Sequence, residues 1–170
     1  MDGPDVGSLL LRVIVGATLV AHGYNHVWRG GRLAGTARWF ESIGIRPGRV
    51  HALLASVTEL AGGVLLVVGL LTPLAAAAAV GTMAVALVAN HLRNGFFIFR
   101  PGEGYEYVLM IIVVGLAIGA LGGRQASFDH ALGLADDLEG GLGLALAGGL
   151  GGGGAAVLLA TCWRRPPNPT

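Results

Sequence analysis

Apolar residues fill long stretches of this chain, and five of these stretches are long enough to cross a membrane. A transmembrane helix needs about twenty mostly apolar residues to cross the hydrocarbon core. The runs lie at 6–28, 50–71, 73–92, 104–121 and 142–161. Only Thr72-Pro73 separates the second run from the third, and proline, which lacks an amide donor, separates two helices there. The pattern predicts an all-α, polytopic membrane helix bundle with four core transmembrane helices and a Gly-rich fifth.

The fifth run is uncharged but rich in glycine, at Gly148, Gly149 and 151–154. Each glycine inside a helix costs about 1 kcal/mol relative to alanine. We favour a membrane helix, and the alternative is a flexible Gly-rich tail. We therefore divide the chain into a four-helix membrane domain, 1–134, and a Gly-rich C-terminal extension, 135–170, with the fifth helix and a short disordered end.

Composition agrees with a membrane protein and excludes several functions. Hydrophobic residues make up 54% of the chain and charged residues 12%, which is about half the usual share in soluble domains. A net charge of +1 without a basic stripe gives no case for nucleic-acid binding. All eleven basic residues are arginine, which excludes a catalytic lysine, and the lone Cys162 excludes an internal disulfide or a multi-cysteine metal site.

The arginines predict the orientation of the helices in the membrane. They cluster after the first, third and fifth runs: Arg29, Arg32, Arg38, Arg46, Arg49, Arg93, Arg100, Arg164 and Arg165. Because cytoplasmic loops carry the excess of positive charge, five spans place the N-terminus outside and the C-terminus in the cytoplasm. If the fifth run does not cross, both termini lie outside.

Ionisable side chains within the first run are the first candidates for a functional site. Such groups are expensive in a membrane and usually mark a site. His22 and His26 are four residues apart and share one helix face, which Asn25 borders. Arg12 lies on the same broad side of the helix.

Other runs add ionisable groups that we expect to join the first set. Glu59 lies near the midplane of the second run, with Gly63 on the same face to admit a neighbouring backbone or a ligand. His91 and Glu106 lie at the cytoplasmic ends of the third and fourth runs. One internal polar column could hold them all, with Arg12 reaching Glu59 and the other groups lining its cytoplasmic mouth.

Three interpretations of these groups remain open at this stage. They neutralise one another and hold the helices in register, they line a site for a lipid-soluble redox molecule such as a quinone or for a small polar substrate, or they bind a metal. Histidines beside a carboxylate suit hydrogen bonding and proton transfer. His-x-x-x-His with a glutamate has metal-ligand types, but the stronger His-Glu-x-x-His motif is absent, and we predict no metal. The candidate catalytic residues are Glu59, His22 and His91, and the candidate ligand-binding residues are Arg12, His26, Asn25 and Glu106.

Several stretches together resemble the DoxX family of small bacterial integral membrane proteins. They are LLLRVIVGATLVAHGYNHVW at 9–28, FESIG at 40–44, ELAGGVLLVVGLLTP at 59–73, His91, EGYEYVLMIIVVGLAIGAL at 103–121 and GRQASFDH at 123–130. The resemblance covers roughly residues 8–134. It implies a bundle of four core helices in the bacterial cytoplasmic membrane, with Arg12, His22, Glu59, His91 and Glu106 as family-typical polar positions. Where the family often has a lysine, this chain has Asn25 or His26.

The resemblance also implies a role in redox chemistry. We expect a membrane subunit of a quinone-linked or detoxification redox system, with no tightly bound cofactor and with a soluble redox enzyme as its partner on the cytoplasmic side. The alternatives are a non-catalytic scaffold that anchors soluble redox enzymes and a small-solute transporter. The expected partners include the lipid bilayer and further copies of the chain, because Gly-rich helix faces favour self-association.

Overall fold

The computed structural model describes residues 1–166, and it confirms the all-α class. The helices are α1 (Gly3–Trp28), α2 (Arg32–Ser42), α3 (Gly48–Val68), α4 (Thr72–Ala86), α5 (Glu106–Leu121), α6 (Phe128–Ala131) and α7 (Gly140–Cys162). Leu87–His91 continue α4 as a π-helical turn, and Leu92–Asn94 follow as a 3-10 turn. Residues 167–170, on which the predicted disordered end falls, lie outside the described residues.

Four helices in the described chain are long and apolar enough to cross a membrane: α1, α3, α4 with its extension to Asn94, and α7. The fourth predicted run becomes α5, which has 16 residues and is therefore about 24 Å long. The Gly-rich fifth run is a continuous helix of 23 residues rather than a flexible tail. It packs against α4 and α5, and these contacts offset the low helix propensity of its glycines.

Two facing glycines let α1 and α3 approach closely. A Cβ atom added to Gly63 would lie 2.6 Å from the carbonyl oxygen of Gly16, and one added to Gly16 would lie 2.6 Å from that of Gly63. Only residues without a side chain permit this separation. The sequence predicted that Gly63 admits either a neighbouring backbone or a ligand, and the structure shows a neighbouring backbone.

We expect Gly63→Ala to destabilise the protein, because the new methyl group must push α1 and α3 apart. Overpacking of this kind costs about 1–3 kcal/mol. Thermal unfolding in a mild detergent measures the loss. Gly149→Ala is the control, since nothing lies within 4 Å of a Cβ atom at that position of α7. A Gly63→Ala protein as stable as the control would contradict the close approach.

One end of the bundle carries most of the positive charge. The backbone amide of Arg46 donates to the carbonyl of Cys162 (2.9 Å), and that of Arg164 donates to Gly44 (2.8 Å), so the end of α7 meets the loop before α3. The helix α2 covers this end and buries Phe40 against the bundle. Nine of the eleven arginines lie in the segments that meet here, and we call it the Arg-rich end.

Candidate functional site

A cavity of about 450 Å³ lies between α1, α3, α4, α5 and α7, beneath α2 at the Arg-rich end. Most of its wall is apolar, and its volume is within the usual range of small-molecule sites. Its titratable lining includes His22, His26, His51, Glu59, His91 and Tyr107. Four of the seven side chains that the sequence singles out therefore meet in one cavity.

Glu59 is the central carboxyl group of this cavity. It is only 5% exposed, on the face of α3 that turns towards α1. Its Oε2 atom lies 3.2 Å from Nδ1 of His26. This contact lacks hydrogen-bond geometry, and neither atom has a hydrogen-bond partner within residues 1–166. A buried polar atom without a partner costs about 1–3 kcal/mol, so this pair contributes little to holding α1 and α3 together.

His51 is a further buried group that sequence reasoning missed. It is 8% exposed, it lines the cavity, and its Nδ1 atom makes no hydrogen bond to the part of the chain that the structure describes. His51, Ala55 and Glu59 follow one another at intervals of four residues, and all three side chains line the cavity. This repeat of four residues along one helix face is the signal that could have identified it.

His22 and Tyr107 form a second polar pair, which joins α1 to α5. The Tyr107 hydroxyl lies 2.9 Å from His22 Nε2, and the two rings stack with centroids 6.1 Å apart. The sequence indicated the adjacent Glu106 instead. One residue rotates the side chain by about 100° around a helix, and the Glu106 carboxylate instead accepts a hydrogen bond from the Ile98 amide (3.2 Å).

His91 lies in the cavity wall at the π-helical turn that ends α4. Such turns are frequent at functional sites, and this one brings the adjacent Asn90 and His91 to the same cavity. His91 Nδ1 donates to the carbonyl of Glu103 (2.9 Å), which can only accept, so Nε2 is the acceptor for the Asn90 amide (3.3 Å). Because both ring nitrogens have protein partners, His91 attaches the 95–105 loop to the cavity.

Arg12 does not reach Glu59, and that prediction is wrong. The buried guanidinium donates to the carbonyls of Ala126 (2.6 Å) and Leu66 (3.2 Å) and to the Ser8 hydroxyl (3.4 Å). Leu66 is seven residues beyond Glu59, about 10 Å further along α3. The last carbonyls of a helix carry the negative end of its dipole, so the carbonyl of Leu66 attracts the guanidinium away from the midplane.

Asp129, which the sequence did not single out, completes the cluster around Arg12. Its fully buried carboxylate accepts hydrogen bonds from the Leu71 amide (2.6 Å), the Thr72 amide (2.9 Å) and the Thr72 hydroxyl (2.6 Å). It therefore caps the start of α4 from the one-turn helix α6. Arg12 and Asp129 also interact electrostatically. This cluster stabilises the end of the bundle opposite the cavity.

The single polar column expected from the sequence is therefore interrupted. Buried Val15 and Leu19 lie between Arg12 and His22 along α1, and they belong to an apolar core that includes Leu66 and Ile111. Asn25 is exposed. Among residues 1–166, the lining of the cavity includes neither Arg12 nor Asn25 nor Glu106.

Comparisons with known proteins show which family the chain belongs to. A family model described as DoxX matches residues 7–92, just over half of the chain. The chain belongs to the DoxX family. It is also 32% identical over 114 residues to a protein of Bacillus subtilis (strain 168) named "Putative oxidoreductase CatD", and the alignment covers 67% of this chain and 79% of that one. No solved structure gives a significant match. The DoxX match includes the cavity residues of α1 and α3, whereas α5 and α7 lie beyond it.

Proposed function

We propose that this DoxX protein is a membrane subunit of a redox system and that its cavity binds the ring of a quinone or a similar lipophilic redox molecule. One observation carries the proposal. The Glu59 and His51 side chains both line the cavity, and within residues 1–166 a buried carboxylate oxygen of Glu59 and a buried ring nitrogen of His51 make no hydrogen bond. Their burial is costly, and a ligand with hydrogen-bonding oxygens would remove that cost. The name of the Bacillus subtilis relative, an oxidoreductase, supports a role in redox chemistry.

The polar pairs of the cavity are suited to proton transfer. Reduction of a quinone to a quinol consumes two electrons and two protons. Glu59 and His26 lie next to each other (3.2 Å between Oε2 and Nδ1) and can each take up or release a proton, and the Tyr107 hydroxyl beside His22 (2.9 Å) offers a further donor. A soluble redox enzyme bound at the Arg-rich end would supply the electrons. We expect an acidic docking surface on that enzyme.

The charge distribution supports an orientation in the bacterial cytoplasmic membrane. Since nine arginines lie at the Arg-rich end, the positive-inside rule places this end in the cytoplasm. The N-terminus of α1 then lies outside, and the C-terminus follows α7 into the cytoplasm. The cavity opens towards the cytoplasmic leaflet in this orientation.

A scaffold for soluble redox enzymes is the second candidate, and the Arg-rich end favours it. A scaffold needs the charged surface but gives no reason for the unpartnered atoms of Glu59 and His51. A small-solute transporter is less well supported, because the apolar core around Leu19 and Leu66 separates the cavity from the opposite end.

Quinone binding to the purified protein tests the proposal. Trp39 lines the cavity, so a bound quinone should quench its fluorescence, and Trp28→Phe removes a background signal from an exposed position. We expect saturable quenching, which Trp39→Phe should largely abolish. Mass spectrometry of the gently purified protein should also find quinone.

We expect His51→Ala to weaken quinone binding about 5- to 10-fold, because one net hydrogen bond contributes about 1 kcal/mol. Asn25→Ala is the matched control, since Asn25 is exposed and outside the cavity lining. The fluorescence titration measures both variants. Non-saturable quenching, or equal affinities in the two variants, would contradict the proposed site, and a stoichiometric enzyme without quinone would favour the scaffold.

A further inference from the structure

The cavity has an open side between α3 and α7. Leu54 on α3 and Leu150 on α7 both line the cavity, and each is 54% exposed. Both helices pack on α4, and Ala78 and Gly81 of α4 line the floor between them. A cavity whose wall residues are half-exposed on this side opens through the gap between the two helices.

This opening lies within the hydrocarbon depth of the membrane. Leu54 is six residues from the start of α3, about 9 Å from the Arg-rich end, and Gly154 is eight residues from the end of α7, about 12 Å from it. The hydrocarbon core of a bilayer is about 30 Å thick. A molecule that passes between α3 and α7 therefore comes from the lipid and not from water.

The open side differs chemically from the interior of the cavity. The interior holds Glu59, His26 and His51, whereas the gap is lined by small and apolar groups such as Gly154 and Leu158. The two parts form one continuous cavity. Its polarity pattern matches a molecule with a hydrogen-bonding ring at one end and an apolar chain at the other.

We propose that the ligand enters this cavity sideways from the bilayer and that its long apolar tail stays between α3 and α7 while its ring contacts Glu59. This inference rests on the proposed function and specifies its substrate class as long-tailed quinones. A tail gains little hydrophobic free energy when it leaves lipid for the gap. The gap therefore contributes to binding because its shape accommodates the tail, and a side chain that fills the gap should exclude the tail.

Two variants of α7 distinguish a blocked gap from a damaged helix. None of the described residues lies within 4 Å of a Cβ atom built at Gly154 or at Gly152, but of these two glycines only Gly154 lines the cavity. Gly154→Leu and Gly152→Leu therefore make the same change to the helix, and only the first fills the gap. Leu54→Trp fills the same gap from α3 and serves as an independent variant.

The experiment measures binding of a long-tailed quinone and of the same ring without a tail to protein reconstituted in phospholipid vesicles. We expect Gly154→Leu and Leu54→Trp to weaken binding of the long-tailed compound about tenfold, to leave binding of the tailless ring unchanged, and Gly152→Leu to change neither. Unchanged binding of the ring also shows that the variants are folded.

Three outcomes would overturn the inference. If the long-tailed compound binds the Gly154→Leu and Gly152→Leu variants alike while wild type binds both compounds, the proposed function stands and the sideways entry fails. If Gly154→Leu displaces a spin-labelled phospholipid but not the quinone, the gap holds an ordinary acyl chain. If wild type binds neither compound, the proposed function fails and the inference fails with it.

Discussion

Glu59→Gln is expected to reduce quinone binding about 10- to 100-fold and quinone-dependent turnover at least as much. Gln has nearly the same shape, but its amide cannot take up or release a proton beside His26, whose Nδ1 lies 3.2 Å from the Glu59 carboxylate. A hydrogen bond to a charged group is worth about 1.5–3 kcal/mol, which sets the size of the effect on binding. Fluorescence titration measures the affinity, and turnover is measured with the partner enzyme.

The same variant shows whether Glu59 binds a ligand or instead stabilises the fold by holding α1 and α3 together. If the contact between Glu59 and His26 holds α1 and α3 together, Glu59→Gln should destabilise the protein by about 3–5 kcal/mol, as breaking a buried ion pair does. We expect little loss, because the Glu59 Oε2 atom makes no hydrogen bond to any described residue. Glu106→Gln is the matched control, since its carboxylate binds the Ile98 amide outside the cavity. A large loss of stability with unchanged quinone binding would favour a purely structural role for the contact between Glu59 and His26.

Asp129→Ala is expected to cause the largest loss of stability of any variant considered for this chain. It removes three hydrogen bonds at the start of α4 and the electrostatic interaction of this carboxylate with the buried Arg12. A buried donor left without a partner costs about 1–3 kcal/mol, so the loss for these donors together should be about 3–5 kcal/mol. The melting temperature should fall by about 6–20 °C, as measured by thermal unfolding in detergent.

Two further variants check this explanation. Asp136→Ala removes an exposed carboxylate from the same connection, and we expect it to change the melting temperature by less than about 2 °C. Arg12→Leu combined with Asp129→Leu should lose less stability than the sum of the two single changes, because the groups interact. Additive losses, or an Asp129→Ala protein as stable as Asp136→Ala, would contradict the role given to this cluster.

The hydrophobic runs predicted the ends of the membrane helices to within a few residues. The hydrocarbon core offers no water to the backbone, so a single apolar segment satisfies its own N–H and C=O groups there only as a helix. The fifth run shows that helix propensity alone does not decide whether a segment forms a helix. Its glycines disfavour a helix in isolation, but Gly151 lets α7 approach the backbone of α4 at Ala77. The π-helical turn at Leu87–His91 and the one-turn helix α6 have no periodic signal.

The sequence predicted part of the site, because periodicity shows which residues share a face of one helix. It grouped His22 with His26 and indicated Glu59 on α3. It cannot show which faces meet, so it chose Glu106 in place of Tyr107, one residue away on α5. The sequence also could not predict that backbone carbonyls bind Arg12. Their positions depend on where α3 ends and on the path of residues 122–127 after α5.

The most direct test of the account is to map where a photoactivatable quinone with its reactive group on the ring attaches to the protein. Mass spectrometry of the cross-linked peptides identifies the positions. We expect saturable labelling of cavity-lining residues on α3 and α4 near Glu59 and Met83, with loss of labelling in Glu59→Gln and competition by unlabelled quinone. Labelling confined to outward-facing positions such as Leu10 and Ile14, or labelling that excess quinone does not reduce, would contradict a common ligand site for these polar groups.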